Sequence, residues 1–257
     1  MSPSTDQREQ REFASELKFV ISQPLAERVR EWARGCLVPD PHAAADSVDA
    51  YQITSLYFDT EQFDVFHRKG SFGRSKYRIR RYGPSDLAFL ERKLKTRGLV
   101  SKRRSAVPLI ELPRLANGEP ARDWAGHWYH QRLLVRRLRP ICEIGYRRTA
   151  RVSMTHCGPI RLTLDENVRA WPAHRLEFNG AMGGTLLLEN QMILELKYRL
   201  EMPALFKQLV EEFALAPKAM SKYRLAAVAL GYVKAGGQPN DGTLNSQPDI
   251  PVKVQTE

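Results

Sequence analysis

Cysteine is scarce. Cys36, Cys142 and Cys157 are the only three in 257 residues, and none forms a CxxC pair. That leaves no disulfide framework and no cysteine-based zinc site, and an odd thiol number suits a reducing compartment. Long apolar runs are also missing. None approaches the ~20 residues of a membrane span, and the opening MSPSTDQREQRE is polar throughout, without the apolar region of a secretory signal. The expected location is cytoplasmic. The six histidines (His42, His67, His127, His130, His156, His174) show no HxxxH spacing, and His127 and His130 read as a helix-surface pair. An RNP-like aromatic run and a KH-type GxxG are absent too, which weighs against an RNA-binding module. Neither a linker nor an internal repeat divides the chain.

What the chain has in excess is positive charge. Lys and Arg number 40 against 29 Asp and Glu, a formal net charge of +11 and a pI near 9.7. That balance favours acidic partners: nucleic acid, an anionic membrane surface or a phosphorylated substrate. An apolar content of 42% is enough for a core. The division expected is a disordered lead over 1–12, one domain over 13–234 and a disordered tail over 235–257, where Gly, Pro, Asn, Asp and Ser dominate.

Four helices are expected: Ser22 (with Pro24 in the first turn) to about Arg34, about Arg122–Val135, about Met202–Phe213, and Ser221 to about Val233. The strand candidates are Phe13–Ile21, Ile53–Asp59, Ser75–Tyr82, Leu87–Lys95, Ser101–Pro108, Ile141–Val152, Ile160–Val168, Arg175–Phe178 and Gln191–Tyr198. Many strands with short turns predict an α+β fold built on an antiparallel sheet or barrel with flanking helices.

The distinctive pattern is charge at period two. Residues two apart in a strand share a face. Lys76, Arg78 and Arg80 share one, opposite Tyr77 and Ile79. Glu91, Lys93 and Lys95 oppose Leu90, Arg92 and Leu94. Arg161, Thr163 and Asp165 oppose Ile160, Leu162 and Leu164. Glu195 and Lys197 oppose Leu194 and Leu196, and Glu16 and Lys18 oppose Leu17 and Phe19. For one strand, the ordinary explanation is a face turned to water. Five strands with the same pattern, each cationic and most with a single carboxylate, fit a closed barrel whose charged faces line the lumen. Such a lumen needs an anionic ligand to offset the repulsion among its cations. Arg forks and Lys point charges suit phosphate oxygens. The carboxylates do not; they suit a divalent cation bridging phosphates. A nucleic-acid duplex does not fit a small barrel.

Several segments together resemble the catalytic domain of the vacuolar transporter chaperone (VTC) complex, within the triphosphate tunnel metalloenzyme superfamily. They are Glu16-Leu-Lys-Phe19, Ser55-Leu-Tyr-Phe-Asp59, Lys76-Tyr-Arg-Ile-Arg-Arg-Tyr-Gly83, Leu90-Glu-Arg-Lys-Leu-Lys95, Ser101-Lys-Arg103, Tyr146-Arg-Arg-Thr-Ala150, Arg161-Leu-Thr-Leu-Asp165, Leu194-Glu-Leu-Lys-Tyr198 and Ser221-Lys-Tyr223, in the family's order across about 13–230. The resemblance implies a tunnel-shaped β-barrel that transfers the γ-phosphoryl of ATP to a growing inorganic polyphosphate chain, with Mn²⁺ or Mg²⁺ as cofactor. It implies catalytic roles for Arg78, Arg80, Lys93 and Lys222. It implies phosphate binding by Lys18, Lys102, Arg148, Arg161 and Ser221, to which the charged faces add Lys76 and Lys95. Glu195 is the leading metal ligand, with Asp165 and Glu91 beside it. A membrane-protein partner is also implied, which would make the chain peripheral to a membrane; no nucleic-acid partner is expected. One departure matters. The hydrolytic and cyclase branches typically begin Glu-x-Glu-x-Lys, and here Ala14 stands at the first Glu. That suits the polymerase branch over the alternatives, a triphosphate hydrolase or a non-catalytic polyphosphate-binding module.

Overall fold

The computed structural model describes residues 6–7, 15–41, 49–72, 75–96, 99–178 and 183–234. In chain order the elements are β1 (Asp6–Gln7), β2 (Ser15–Ser22), α1 (Gln23–Cys36), β3 (Val38–Pro39), β4 (Ala50–Asp59), α2 (Asp64–His67), β5 (Ser75–Tyr82), β6 (Leu87–Thr96) and β7 (Leu99–Pro108). They continue with α3 (His127–Val135), β8 (Arg139–Thr155), β9 (Gly158–Pro172), β10 (Thr185–Leu186), β11 (Gln191–Tyr198), α4 (Ala204–Glu212) and α5 (Lys222–Ala229).

Local chemistry explains most of these boundaries. α1 starts where Pro24 presets a helical φ, and it buries Ala26, Val29 and Ala33 at helical spacing; Ser22 occupies the cap position without a side-chain capping bond. α5 is capped in the usual way, with Ser221 Oγ accepting from the Arg224 N–H. The β5–β6 turn needs a left-handed residue, and Gly83 supplies it with φ +49°. Residues 175–177, expected to be strand, form a bend instead, and the short strand that pairs with β9 is β10.

All the long strands join one antiparallel sheet in the order β1-β7-β6-β5-β4-β8-β9-β11-β2. The register places like chemistry side by side. Tyr57, Arg78, Glu91 and Arg104 lie abreast on β4 to β7, as do Lys76, Lys93 and Lys102 on β5 to β7. Thr163, Glu195 and Lys18 lie abreast on β9, β11 and β2.

The expected α+β class, antiparallel sheet and flanking helices are present, but the sheet does not form the expected closed barrel. Among the described residues no backbone ladder joins β2 to β7, so the sheet is strongly curled but open along that seam. The two sides meet across the lumen through a side chain instead, Lys93 Nζ lying 2.7 Å from Glu16 Oε2. Closure depends on strand tilt and shear, which period-two patterning does not encode. Within the segment taken as a disordered lead, Asp6 and Gln7 pair with Ser105 and Arg104 of β7. Residues 1–5 and 8–14, with Ala14, and the tail 235–257 lie outside the described residues.

The apolar strand faces point outward and are covered by helices. α1 and α4 pack over β2, β9 and β11, where Phe19, Leu162, Leu164, Leu194 and Leu196 meet Val29, Phe206 and Leu209. Each such buried side chain contributes about 1.5–3 kcal/mol. On the other side Tyr129 of α3 packs edge-on to Phe58. His130, expected on a helix surface, is buried and bonds the Asn117 carbonyl oxygen. α5 packs beside α2, Arg224 donating to the Phe66 carbonyl oxygen, while Lys222 and Tyr223 reach the charged side of the sheet and Tyr223 stacks on Tyr57 with ring centroids 5.6 Å apart.

Candidate functional site

The charged faces of β2, β4, β5, β6, β7, β8, β9 and β11 look into one lumen, and side-chain contacts across it show which expected residues meet. On one wall Glu195 is the hub. Its Oε1 lies 2.9 Å from Lys18 Nζ and 3.5 Å from Lys222 Nζ, and its Oε2 lies 3.6 Å from Lys197 Nζ. Lys18 also pairs with Glu16 at 2.9 Å. Asp165, fully buried, receives both prongs of Arg148 (Nε 2.6 Å, Nη2 2.7 Å) and Lys222 at 2.5 Å. Arg148 thus has its fork engaged by a carboxylate.

On the other wall Glu91 takes Arg78 (Nη2 2.6 Å), Lys102 (2.7 Å) and Arg104 (3.3 Å). Arg78 also donates to the Tyr57 hydroxyl, and Arg80 donates to Ser55 Oγ and the Tyr146 hydroxyl. Lys76 donates to Ser221 Oγ at 2.7 Å. Arg161 sits further along, bonded to Asp40 and to the Tyr51 hydroxyl. Lys95 continues the β6 face, but its side chain lies outside the described residues. Glu91, expected beside Glu195 and Asp165, shares no ion-pair partner with either and belongs to the opposite wall.

Three lumen residues went unassigned to roles in the sequence: Glu16, Arg104 and Lys197. The same alternation that selects Lys18, Lys102 and Glu195 selects them. Arg103, one position away, faces out and lies 4.4 Å over the Trp128 ring.

The electrostatics divide the lumen into groups whose charge is favoured and groups whose charge burial opposes. Burial opposes ionisation of Glu195, yet Lys18 and Lys222 hold it well below the usual carboxylate range. Glu91 is held down in the same way by Arg78 and Lys102. Burial likewise opposes the charge on Lys18, but Glu195 and Glu16 more than offset it. Lys76, Lys93 and Lys102 are the reverse case. Burial pushes each toward the neutral form, for Lys76 with repulsion from Lys18 and Lys93 added. Buried cations of this kind would gain from an anion placed between them.

Lys197 is the clearest instance, its pKa brought down to about 7 by burial despite Glu195 and Glu16 nearby. Its ammonium is present below that pH and lost above it. Tripolyphosphate affinity is therefore expected to fall between pH 6 and 8 more steeply in the wild type than in Lys197→Met. Titration calorimetry at several pH values checks this; equal slopes would refute the assignment.

No three His, Cys, Asp or Glu side chains among the described residues cluster closely enough to hold a metal unaided. Glu195 and Glu16 share Lys18 between them, and a hard divalent ion commonly takes one or two carboxylates plus phosphate oxygens, so these two are the carboxylates that could contribute to such a site. An exterior groove of about 540 Å³, lined by Thr60, Asp64, Arg132, Arg136 and Arg139 among others, shares no residue with the lumen.

The VTC domain family matches residues 13–230. No curated protein matches the sequence. Among solved structures, a Bacillus halodurans protein named for adenylate cyclase aligns at TM-score 0.51 and 13% identity, covering 81% of this chain and 94% of that one. A Hippeastrum protein, named for adenylyl cyclase and described as having a dominant triphosphatase activity, aligns at 0.46 and 15%, covering 88% and 99%. The PH1819 protein of Pyrococcus horikoshii aligns at 0.46 and 14%, covering 83% and 97%. Among the described residues no helix is long and apolar enough to cross a membrane.

Proposed function

Because the chain belongs to the VTC domain family, we propose that it is an ATP-dependent polyphosphate polymerase that works in the lumen of the curled sheet. The observation that carries this reading is the in-register row Lys76, Lys93 and Lys102. These are three ammonium groups that burial pushes toward neutrality. A polyanion lying across them would favour their charged forms and offset their repulsion.

In this reading Arg78 and Arg80 neutralise the equatorial oxygens of the transferring γ-phosphoryl, held in place by Glu91, Tyr57, Ser55 and Tyr146. Lys18, Lys76, Lys93, Lys102 and Lys222 bind the neighbouring phosphates. Ser221 adds the N-terminal end of α5, where free N–H groups favour anions. Asp165 positions Arg148 and Lys222. The terminal phosphate of the acceptor chain is already ionised and attacks the γ-phosphorus in line, the bond to the β–γ bridging oxygen breaks and ADP leaves, so no general base is required; the protein contributes positioning and charge stabilisation. Glu195 with Glu16 would hold a divalent ion such as Mn²⁺ or Mg²⁺, which would neutralise part of the phosphate charge. The Ala14 departure favours transfer to phosphate over transfer to water. The 13–234 domain is the catalytic unit, and a membrane-associated partner is in keeping with the family.

Incubation with ATP and Mn²⁺ should yield a polyphosphate ladder on a gel that an exopolyphosphatase removes. Release of orthophosphate alone would instead support the hydrolase, and tight polyphosphate binding without turnover the binding module. In the same assay Glu195→Gln should raise the Mn²⁺ concentration for half-maximal rate about tenfold or more, since even indirect contacts to a metal site are worth about 10–100-fold. An unchanged metal requirement would remove Glu195 from the metal site.

A further inference from the structure

The exterior groove of about 540 Å³ lies between the α2–β5 connection and the C-terminal end of α3, and the chemistry of the lumen makes no use of it. Four guanidinium groups line it, those of Arg132, Arg136, Arg137 and Arg139. Arg136 lies 4.7 Å over the Phe72 ring and donates to Ser71 Oγ at 3.2 Å. Arg132 stands one turn earlier on the same face of α3. Among the described residues none of the four arginines is in an ion pair. Of the two carboxylates in the groove, Asp64 accepts from the Thr60 hydroxyl at 2.6 Å and lies 3.8 Å from Lys69 Nζ, and Glu61 is exposed.

Part of this charge has an ordinary cause. Cations at the C-terminal end of a helix offset its dipole, and Arg132 and Arg136 stand there. Arg137 and Arg139 lie beyond the helix, and Arg137 is costly where it is. In the turn that ends α3, the Arg137 N–H donates to the Leu134 carbonyl oxygen and the Leu138 N–H to that of Leu133. Such a turn needs a left-handed residue at its centre, and Arg137 takes that place with φ +50°. Glycine adopts this conformation freely, whereas an arginine is strained by its Cβ. Strain kept at one position beside three further cations points to a use for the side chain. Guanidinium forks match phosphate oxygens, and four of them suit several phosphates better than one. The groove has the volume of a small-ligand site, and its concave form does not suit a flat bilayer.

We propose that this groove is a second site for a phosphate chain, outside the lumen, held by Arg132, Arg136, Arg137 and Arg139 with the Ser71 hydroxyl as a neutral donor. The site stands whether or not the lumen polymerises. Thr60, which lines the groove, follows Tyr57 of the lumen by three residues, or roughly 10 Å at ~3.3 Å per strand residue. A chain long enough to engage both sites would be retained when either one let go.

Titration calorimetry with inorganic tripolyphosphate counts the sites. The wild type should take two equivalents. Arg137→Gly should weaken one of them by at least about tenfold, the value of one hydrogen bond to a charged group. Its melting temperature without ligand should be unchanged or higher, because glycine relieves the turn, so the loss cannot be blamed on folding. Arg132→Gln/Arg136→Gln should weaken the same equivalent, and Lys93→Ala the other one. Two equivalents that both groove variants leave untouched would overturn the groove site. A single equivalent weakened only by Lys93→Ala would also overturn it and leave the lumen reading standing. A single equivalent weakened only by the groove variants would uphold the groove and overturn the lumen reading. No binding at all would overturn both. Vesicles of phosphatidylglycerol and of phosphatidylcholine separate a lipid surface from a free chain. Sedimentation with the first alone, abolished by Arg137→Gly, together with a single tripolyphosphate equivalent, would assign the groove to a membrane and overturn the proposal.

Discussion

Arg78→Ala is expected to slow phosphoryl transfer by about 10²–10³-fold, the usual cost of removing one well-aimed donor from a developing charge, with the fold intact. Arg78 holds Glu91 through Nε and Nη2 and the Tyr57 hydroxyl through Nη1, which fixes its plane inside the lumen. Loss of the side chain does not strand Glu91, because Lys102 and Arg104 remain on its other oxygen. Nor does it open the apolar core, which lies on the outer face of the sheet. The effect should therefore appear in the rate of ladder growth and be nearly absent from the thermal melt. Arg147→Ala is the matched control. Arg147 neighbours Arg148 in sequence but is half-exposed and pairs with Glu166 outside the lumen, so its rate should stay within about twofold of the wild type, as surface pairs contribute little. An Arg78→Ala protein at wild-type rate would remove β5 from the reaction.

The largest effect on stability should come from Asp59→Ala, about 3–5 kcal/mol. Asp59 ends β4 and is fully buried. Its Oδ1 accepts the N–H groups of Thr60 (2.7 Å) and Val65 (2.8 Å), and its Oδ2 accepts the Phe66 N–H (2.9 Å) and the Tyr223 hydroxyl. Alanine would leave these donors without an acceptor, and each orphaned buried group costs about 1–3 kcal/mol before local relaxation. For a domain of this size the melting temperature should fall by roughly 10 °C, at about 2–4 °C per kcal/mol. Activity should fall further than the folded fraction accounts for, because Tyr223 is next to Lys222 and anchors α5 to the lumen wall. A melt unchanged within a degree or two would mean that water replaces the carboxylate at this corner.

The strands were legible because their two faces differ so sharply in chemistry. Lys76-Tyr-Arg-Ile-Arg can lie only one way against an apolar layer, and β5 and β11 fall at the expected limits. The same rule carried the site as far as the wall on which each charge stands. It could not tell which charges meet across the lumen. Glu91 and Glu195 share a face type but stand on opposite walls, a consequence of sheet curvature that no local pattern holds. The open seam escaped for the same reason. Asp59 at the end of a strand reads as a support for the turn that follows, as its three backbone N–H bonds agree; its contact with a residue 164 positions away leaves no mark in its neighbourhood of the sequence. Arg175–Phe178 was misleading because a four-residue run carries too little periodicity to separate a strand from a bend. Glu16, Arg104 and Lys197 needed no new signal, only the alternation applied without exception.

The pairing of β2 with β11 has a consequence in time. β2 is the first long strand, and its ladder partner lies near the far end of the domain; Lys18 and Glu195 are 177 residues apart. Contacts of such separation form late, since the intervening loop must be closed before they return any stability. On a chain made from its N-terminus, β2 emerges early and waits while the β4–β7 meander and the β8–β9 hairpin assemble from near neighbours. The hub around Glu195 then comes together in the step that completes the sheet, and Lys222 arrives after it. A partly made chain can hold the Arg78–Glu91 wall in order and still lack its counterpart, so the two walls face each other only once folding has finished.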